Sequence, residues 1–433
     1  MMSKRHTLPR AASPSHEISR RCFSRSLSPD LRSGIAMNTV AGRMRIAHGV
    51  EQVPESEWQD LVVGHPALRL EVLKAITNTA IRPIKLRFFL LEDHLGLAAA
   101  AVCEPIARSA AHNPLDALLL GRAAEPARRL GMSSGPALVF HTPLRRQAPV
   151  LLRAAHPSEQ RQVLDSLLDA IEEHAARLEY GIAFVGVTVE DQLLWSALRS
   201  RRYLDSEFDA TACMQIEWAD FDGYVNHLRA RSKNAARTAR TERSRNRRCG
   251  VSIRQLPFAA ADAYGLYAIL RDHYRYKNGT EPPYGPEFLT RLAASLGNDL
   301  LIFEAVRDGK RVAALVVVRS GSVGWTAMIG LELRDRPNDF TYANLLFYHT
   351  ATWAPALGLK TLLYGTGVQR AKLKRGCRLL ACHLTPGSTH RTDCRHAIPP
   401  DSSGLDAQEV PMNAFSVAVG GTRDRGHLVQ DIT

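Results

Sequence analysis

Two runs of the chain concentrate side chains that could do chemistry. One reads Tyr364-Gly365-Thr366-Gly367 and continues to Lys372, Lys374, Arg375 and Gly376. Two glycines at the end of an apolar strand let the backbone turn sharply and approach a ligand. Cations beside such a turn can hold charge that exists only in a transition state, such as the oxyanion of acyl transfer, and Lys372 is the candidate for that role. The other run, Arg229–Arg248, carries nine Lys or Arg against Glu242 alone. Like charges at helical spacing repel unless an anion is near, so the run reads as a polyanion-binding helix. Tyr224, Leu228, Ala235 and Ala239 would form its narrow apolar stripe, leaving Arg231, Lys233, Asn234, Arg237 and Arg240 to meet the ligand.

Each signal also has a plain structural explanation: a solvated Arg-rich helix, and an ordinary strand-to-loop turn. Glu332, just past the strand that ends at Gly330, is placed to act as general base; it also suits a strand-end surface charge. Tyr342, opening the following helix, is a candidate acid or a core residue. Cys377, Cys382, His383, His390, Cys394 and His396 cluster in sequence. Their spacing fits neither paired Cys-x-x-Cys nor His-x₃₋₅-His ligands, so no metal is expected.

The elements that must position these residues come from a 433-residue chain that is 45% hydrophobic and 23% charged, with net charge +13. That is a globular composition with room for two or three domains. Met1–Ala36, with seven basic and two acidic residues, and Arg229–Arg248 together account for the whole excess. No apolar run reaches the roughly 18 residues of a membrane span, and seven scattered cysteines read as reduced thiols; a cytoplasmic protein is expected. Residues 1–43 read as a disordered leader and 388–433 as a poorly structured tail. Between them the pattern repeats. Phe88–Val102, with Asp93 at its turn, matches Phe303–Val317, with Asp308, at an offset of 215 residues. A helical face followed by Gly181 and a strand matches a second such unit at Gly358, at an offset of 177, leaving about 38 extra residues in the first half. The expected fold is α+β: two tandem lobes, 44–218 and 219–387, each a mixed, mostly antiparallel sheet flanked by helices.

The order of elements resembles the GNAT superfamily of acyltransferases, in the branch of the Fem-type aminoacyl transferases and CelD-like proteins. The matching residues are Arg231-Ser232-Lys233-Asn234 with Arg237 and Arg240, Tyr284 after Pro282-Pro283, the Asp308-Gly309 turn with Val312-Ala313-Ala314, Gly330, and the Gly365-x-Gly367…Lys372, Lys374, Arg375, Gly376 segment. The resemblance covers 221–386 well and 44–217 by architecture alone, which implies a degenerate first lobe and an active second one. It implies transfer of an acyl or aminoacyl group from acyl-CoA or aminoacyl-tRNA to an amine of a small-molecule or envelope-precursor acceptor, with no permanently bound cofactor and with tRNA as a partner in the second case. Arg334–Ala343 lacks the glycine-rich turn that acetyl-CoA enzymes place before this helix, a departure that favours the Fem-like branch. The rival readings are a plain acetyl-CoA N-acetyltransferase and a catalytically retired protein that binds nucleic acid through Arg229–Arg248.

Overall fold

The computed structural model describes residues 42–81, 83–106, 136–145, 147–153, 156–256, 263–332 and 339–387. The expected leader and tail, with His390, Cys394 and His396, therefore lie outside the described residues.

In the first half, β1 (Arg43–Ala47) leads through α1 (Glu55–Leu61) and α2 (Leu70–Thr79) to the hairpin β2 (Arg87–Asp93) and β3 (Gly96–Ile106). Then come β4 (Ala137–Phe140), β5 (Val150–Leu152), α3 (Pro157–Leu178), β6 (Gly181–Val187), α4 (Gln192–Ser200) and β7 (Ser206–Gln215). The second half opens with α5 (Phe221–Arg231) and α6 (Lys233–Arg248) and then repeats the plan. Its elements are β8 (Ser252–Gln255), α7 (Ala263–Asn278), α8 (Glu287–Leu296), β9 (Leu300–Arg307), β10 (Lys310–Ser320) and β11 (Val323–Leu331). Helix α9 follows in three successive pieces, Thr341–Ala343, a π-helical Asn344–Tyr348 and, after His349, Thr350–Ala356. The described chain ends with β12 (Thr361–Tyr364), α10 (Gln369–Lys374) and β13 (Arg378–Gly387).

All of these strands join one 13-stranded sheet, in the order β1-β2-β3-β4-β6-β13-β7-β12-β11-β10-β9-β8, with β5 paired to β3. Read outward from its middle, the order is the same on both sides. In each half three antiparallel pairings are followed by one parallel pairing, β4 with β6 and β11 with β12. The last strand of each half is exchanged. β7 pairs with β12, β13 pairs with β6, and the two exchanged strands pair with each other at the centre. A cut near residue 218 therefore separates two stretches of sequence but not two sheets.

The hairpins carry the duplication in detail. Asp93 and Gly96 close the first ladder as Arg307 and Lys310 close the second, and both have a register shift one pair further on, between Leu91/Glu92 and between Arg311/Ala313. The correspondence is thus 214 residues, not 215. The one-residue difference decides which face each side chain takes. With 214, Ala99 and Ala101 match Ala313 and Leu315, and all four lie on the face covered by the long helices α3 and α9. The helices end alike as well. Glu179 (φ 56) and Gly358 (φ 70) adopt the left-handed conformation, and Tyr180 N–H and Leu359 N–H donate to the carbonyls of Ala175 and Ala354. That offset is 179 rather than 177, so the extra length of the first half is 35 residues.

The opposite face packs α1 and α2 in the first half and α7 and α8 in the second. Helix α2 contributes to both cores, and its C-terminal end is tied across the halves, with Ile81 N–H donating to the Pro283 carbonyl (3.0 Å) and Ala80 bridged to Tyr284.

Candidate functional site at the fork of the second half

A parallel pair that splays at its carboxyl ends leaves backbone groups for a ligand. β11 and β12 pair only from Val323↔Thr361 to Trp325↔Leu363. Immediately beyond, β11 is bulged: Val317 faces Thr326 and Val316 faces Met328, so Ala327 is the extra residue and the strand bends away. Two hydroxyls hold the end of β12 at this point. Thr326 Oγ1 donates to the Leu363 carbonyl (3.1 Å), and Thr211 Oγ1, from β7, donates to the Tyr364 carbonyl (2.8 Å).

The Gly365-x-Gly367 turn follows at the mouth of the fork. Neither glycine has a positive φ, and a Cβ on either would meet no protein atom within 4 Å. The turn thus leaves space above the backbone. Helix α10 then returns Lys372 to it. Lys372 is 4% exposed, and its Nζ donates to the Gly365 carbonyl. Burial lowers its pKa to about 8, with the nearby Cys377 thiol opposing the shift. Among the described residues no carboxylate pairs with it. The structure thus holds a desolvated ammonium against one carbonyl, with two further N–H bonds to direct at an incoming oxygen.

The expected single helix Tyr224–Arg248 is two helices. Ser232 takes an extended conformation between α5 and α6, and its Oγ accepts from Ala235 N–H (3.3 Å) as the cap of α6. The buried face of α6 is Ala236, Ala239, Glu242 and Asn246, so Ala235 falls beside the stripe rather than in it. Lys233, Asn234, Arg237 and Arg240 are exposed, and Arg237 Nη2 donates to Asn234 Oδ1 (3.1 Å). Lys374 is exposed as well.

Two of the expected ligand-binding residues bond to the protein itself, the buried Arg375 through its whole fork and the exposed Arg231 through one nitrogen. Arg375 is buried. Its Nη2 donates to both Glu242 oxygens (3.0 and 2.8 Å), its Nε to Tyr348 Oη (3.2 Å) and its Nη1 to the Ala371 carbonyl (3.1 Å). Each nitrogen of the fork donates within the protein, so Arg375 ties α10 to α6. Arg231 Nη1 donates to the Gly376 carbonyl (2.8 Å), and Tyr224 Oη donates to the Arg375 carbonyl (2.9 Å). Gly376 has φ 89, and a Cβ there would lie 3.1 Å from Leu228, so this glycine serves the docking of the Lys372 segment on α5.

Tyr284 lies elsewhere. It is buried in the core of the opposite face, against Phe288 at 4.8 Å between ring centroids, and belongs to the joint between halves. Glu332 is exposed at the end of β11, its N–H donating to the Val312 carbonyl (2.8 Å). Tyr342 packs edge-on against Phe347 at 6.2 Å, and burial pushes its hydroxyl up to about 12. Residues 333–338, between Glu332 and α9, lie outside the described residues. Sequence reasoning missed Glu242, Tyr348, Thr326 and Thr211. Of these Glu242 was detectable: it is the one acid in a basic run, at the spacing of the buried alanines. Among the described residues, no three His, Cys, Asp or Glu side chains gather as a metal site.

This arrangement has relatives. Residues 233–373 match the family described as "Acetyltransferase (GNAT) domain". The crystal structure of FemX is similar over 79% of this chain and 96% of that one, at 10% identity and a TM-score of 0.53. Weaker likenesses are to the C-terminal domain of a putative lysylphosphatidylglycerol synthetase from Agrobacterium fabrum (10% identity, 77% and 91% covered, TM-score 0.48) and to a tandem GNAT protein from the clavulanic acid biosynthesis pathway (9%, 80% and 99%, 0.42). No curated protein matches the sequence. Residues 233–373 are thus similar to a GNAT acetyltransferase domain, and the chain as a whole has a fold like that of FemX. Among the described residues, no helix is long and apolar enough to cross a membrane.

Proposed function

We propose that the second half is an N-acyltransferase that moves an acyl or aminoacyl group from acyl-CoA or aminoacyl-tRNA to the amine of a small-molecule or envelope-precursor acceptor. The observation that carries this reading is Lys372, buried with no carboxylate partner among the described residues and held on the Gly365 carbonyl at the mouth of the β11–β12 fork. An acyl carbonyl lying in the fork places its oxygen near this ammonium. Attack by the amine forms the C–N bond, puts the π electrons on that oxygen, and then expels the thiolate or the ribose oxygen. A cation fixed there in advance stabilises the oxyanion without reorganising. We assign the proton lost by the amine to Glu332, because Tyr342, pushed up to about 12, remains a protonated phenol at neutral pH. The phosphates of the donor are assigned to Lys233, Arg237, Arg240 and Lys374, which are exposed, rather than to Arg375, which is consumed internally.

The test is a panel of acyl-CoAs and charged tRNAs assayed with Lys372→Ala. The expected result is a fall in kcat of about 10²–10³ with little change in donor KM, the size of effect seen on losing an oxyanion donor. Undiminished turnover in this variant would show that the buried lysine is only structural.

A further inference from the structure

Toward the C-terminal end of α6, that helix, β8 and the π-helical turn of α9 form a cleft of about 310 Å³, lined by Arg243, Asn246, Arg247, Val251, Ile253 and His349 among others. Its volume falls at the small end of the roughly 300–1,000 Å³ of small-molecule pockets, more than a bare anion fills. The chemistry of its walls is divided. Arg243 and Arg247 stand one helical turn apart, and among the described residues neither has an ion-pair partner within 4 Å; Asp222 is the acid that acts on Arg243 from a distance. Arg243 is pre-positioned, its guanidinium 3.8 Å from the centroid of the Phe221 ring. The amides are already committed, Asn246 to the Asp339 carbonyl (2.9 Å) and Thr341 Oγ1 (3.2 Å), and Asn344 to the Glu242 and Phe340 carbonyls. They fix the floor and leave the two arginines, with the Ser252 hydroxyl beside them, as polar contacts for a ligand.

The other wall is formed by Val251, Ile253 and the His349 ring. Val251 is buried, and the His349 ring stands edge-on to Phe303 at 5.3 Å. Burial and the charge of Arg243 lower the histidine to about 4, so the ring is neutral at physiological pH. His349 N–H donates to the Asn344 carbonyl (2.7 Å), closing a π turn, a local irregularity that often marks functional positions. A guanidinium pair that grips phosphate oxygens beside a wall that accepts a planar ring fits a nucleoside phosphate.

We propose that this cleft binds a mononucleotide, its phosphate on Arg243 and Arg247 and its base against Val251, Ile253 and His349. The mononucleotide could be free in solution or be the nucleotide end of an acyl donor. Binding to either uses the same contacts. Titration calorimetry on the full chain tests the site without turnover, using AMP, adenosine and inorganic phosphate as probes. AMP should bind at least about tenfold more tightly than adenosine or phosphate. Arg247→Gln, at an exposed position that leaves the Phe221 stack intact, should weaken AMP by about tenfold, and Arg243→Gln/Arg247→Gln further, while Lys360→Gln leaves it unchanged. Equal binding by adenosine or by phosphate alone, or full AMP affinity in the double variant, would overturn the proposal. The source is then read from kinetics: competition of AMP with the acyl donor assigns the site to the donor's nucleotide end, and independence assigns it to a free nucleotide. Only that second arm rests on the acyltransfer reading. Lys372→Ala should bind AMP as the unaltered protein does, so failure of one proposal leaves the other standing.

Discussion

The forks of the two halves start from the same pairing and end differently. In the first half the parallel ladder of β4 and β6 continues to Phe140↔Phe184, whose rings stack with centroids 4.5 Å apart. The chain then leaves the sheet between Phe140 and Val150, and on its return Ala148 N–H donates to the Gly186 carbonyl (3.2 Å). The protein's own backbone thereby occupies the place where the strands would part, and Glu104 and His141 make a buried contact of 3.2 Å beside it. In the second half one extra residue, Ala327, replaces that excursion, and the ladder stops at Trp325↔Leu363. The same topology therefore gives a filled fork in one half and an open one in the other. What differs is whether the strand after the bulge supplies its own partner.

The largest effects are expected at the packing that keeps each half in shape. Phe140→Ala should cost about 3–5 kcal/mol in denaturant unfolding by leaving a cavity in the closed fork, with kcat unchanged; a large loss of kcat would mean that the first half takes part in chemistry. Arg375→Met should cost a similar amount, about 3–5 kcal/mol, by leaving Glu242 buried and unpaired. Its nearest counterpart, Arg201 with Asp165, Asp169 and Glu172, is partly solvated, and Arg201→Met should cost about 1 kcal/mol or less. Equal losses in the two variants would erase the distinction between the halves.

The open fork of the second half should also respond to pH. If Lys372 acts as a cation, kcat falls about tenfold per pH unit once pH exceeds its value of about 8. Stability moves the other way. Below about 8 both folded and unfolded chains hold this proton, and between about 8 and the roughly 10.4 of a free lysine only the unfolded chain does, so stability rises with pH across that window. Lys372→Met should abolish both trends, and their persistence in it would assign them to another group. Smaller still, reversing Lys233, Arg237 and Arg240 should raise donor KM by about tenfold at low salt, with a flatter salt dependence and kcat at saturation intact. The smallest effect is expected of Gly365→Ala. It should change stability by less than about 0.5 kcal/mol, because its φ is ordinary and its surroundings are open, and any loss should appear in donor binding.

The alternation of apolar residues made the hairpins and the tandem plan legible. Aligning Asp93 with Asp308 by type cost one residue of register, because Asp308 sits in the turn with φ 50 whereas Asp93 is the last residue of its strand. The approach of Lys372 to the Gly365 turn could be read because both lie within one short segment. Arg375 could not be told from a ligand-binding cation, since its partner Glu242 is 133 residues away. Nor could the exchange of β7 and β13 be read. Alternation specifies which face of a strand is buried but carries no label for its neighbours.

That exchange sets a timetable for the protein's synthesis. β7 leaves the ribosome with the first half but has its place in the second, and must wait for β12; β6 keeps an open edge until β13, the last described strand, emerges. Neither half can finish folding as it is made, and the chain carries unpaired strand edges through most of translation, the state in which nascent proteins lean on chaperones. Fragments 40–218 and 219–387 made separately would each hold a strand that belongs to the other. They are expected to be insoluble apart and to assemble when co-expressed, as two pieces of one interlocked sheet.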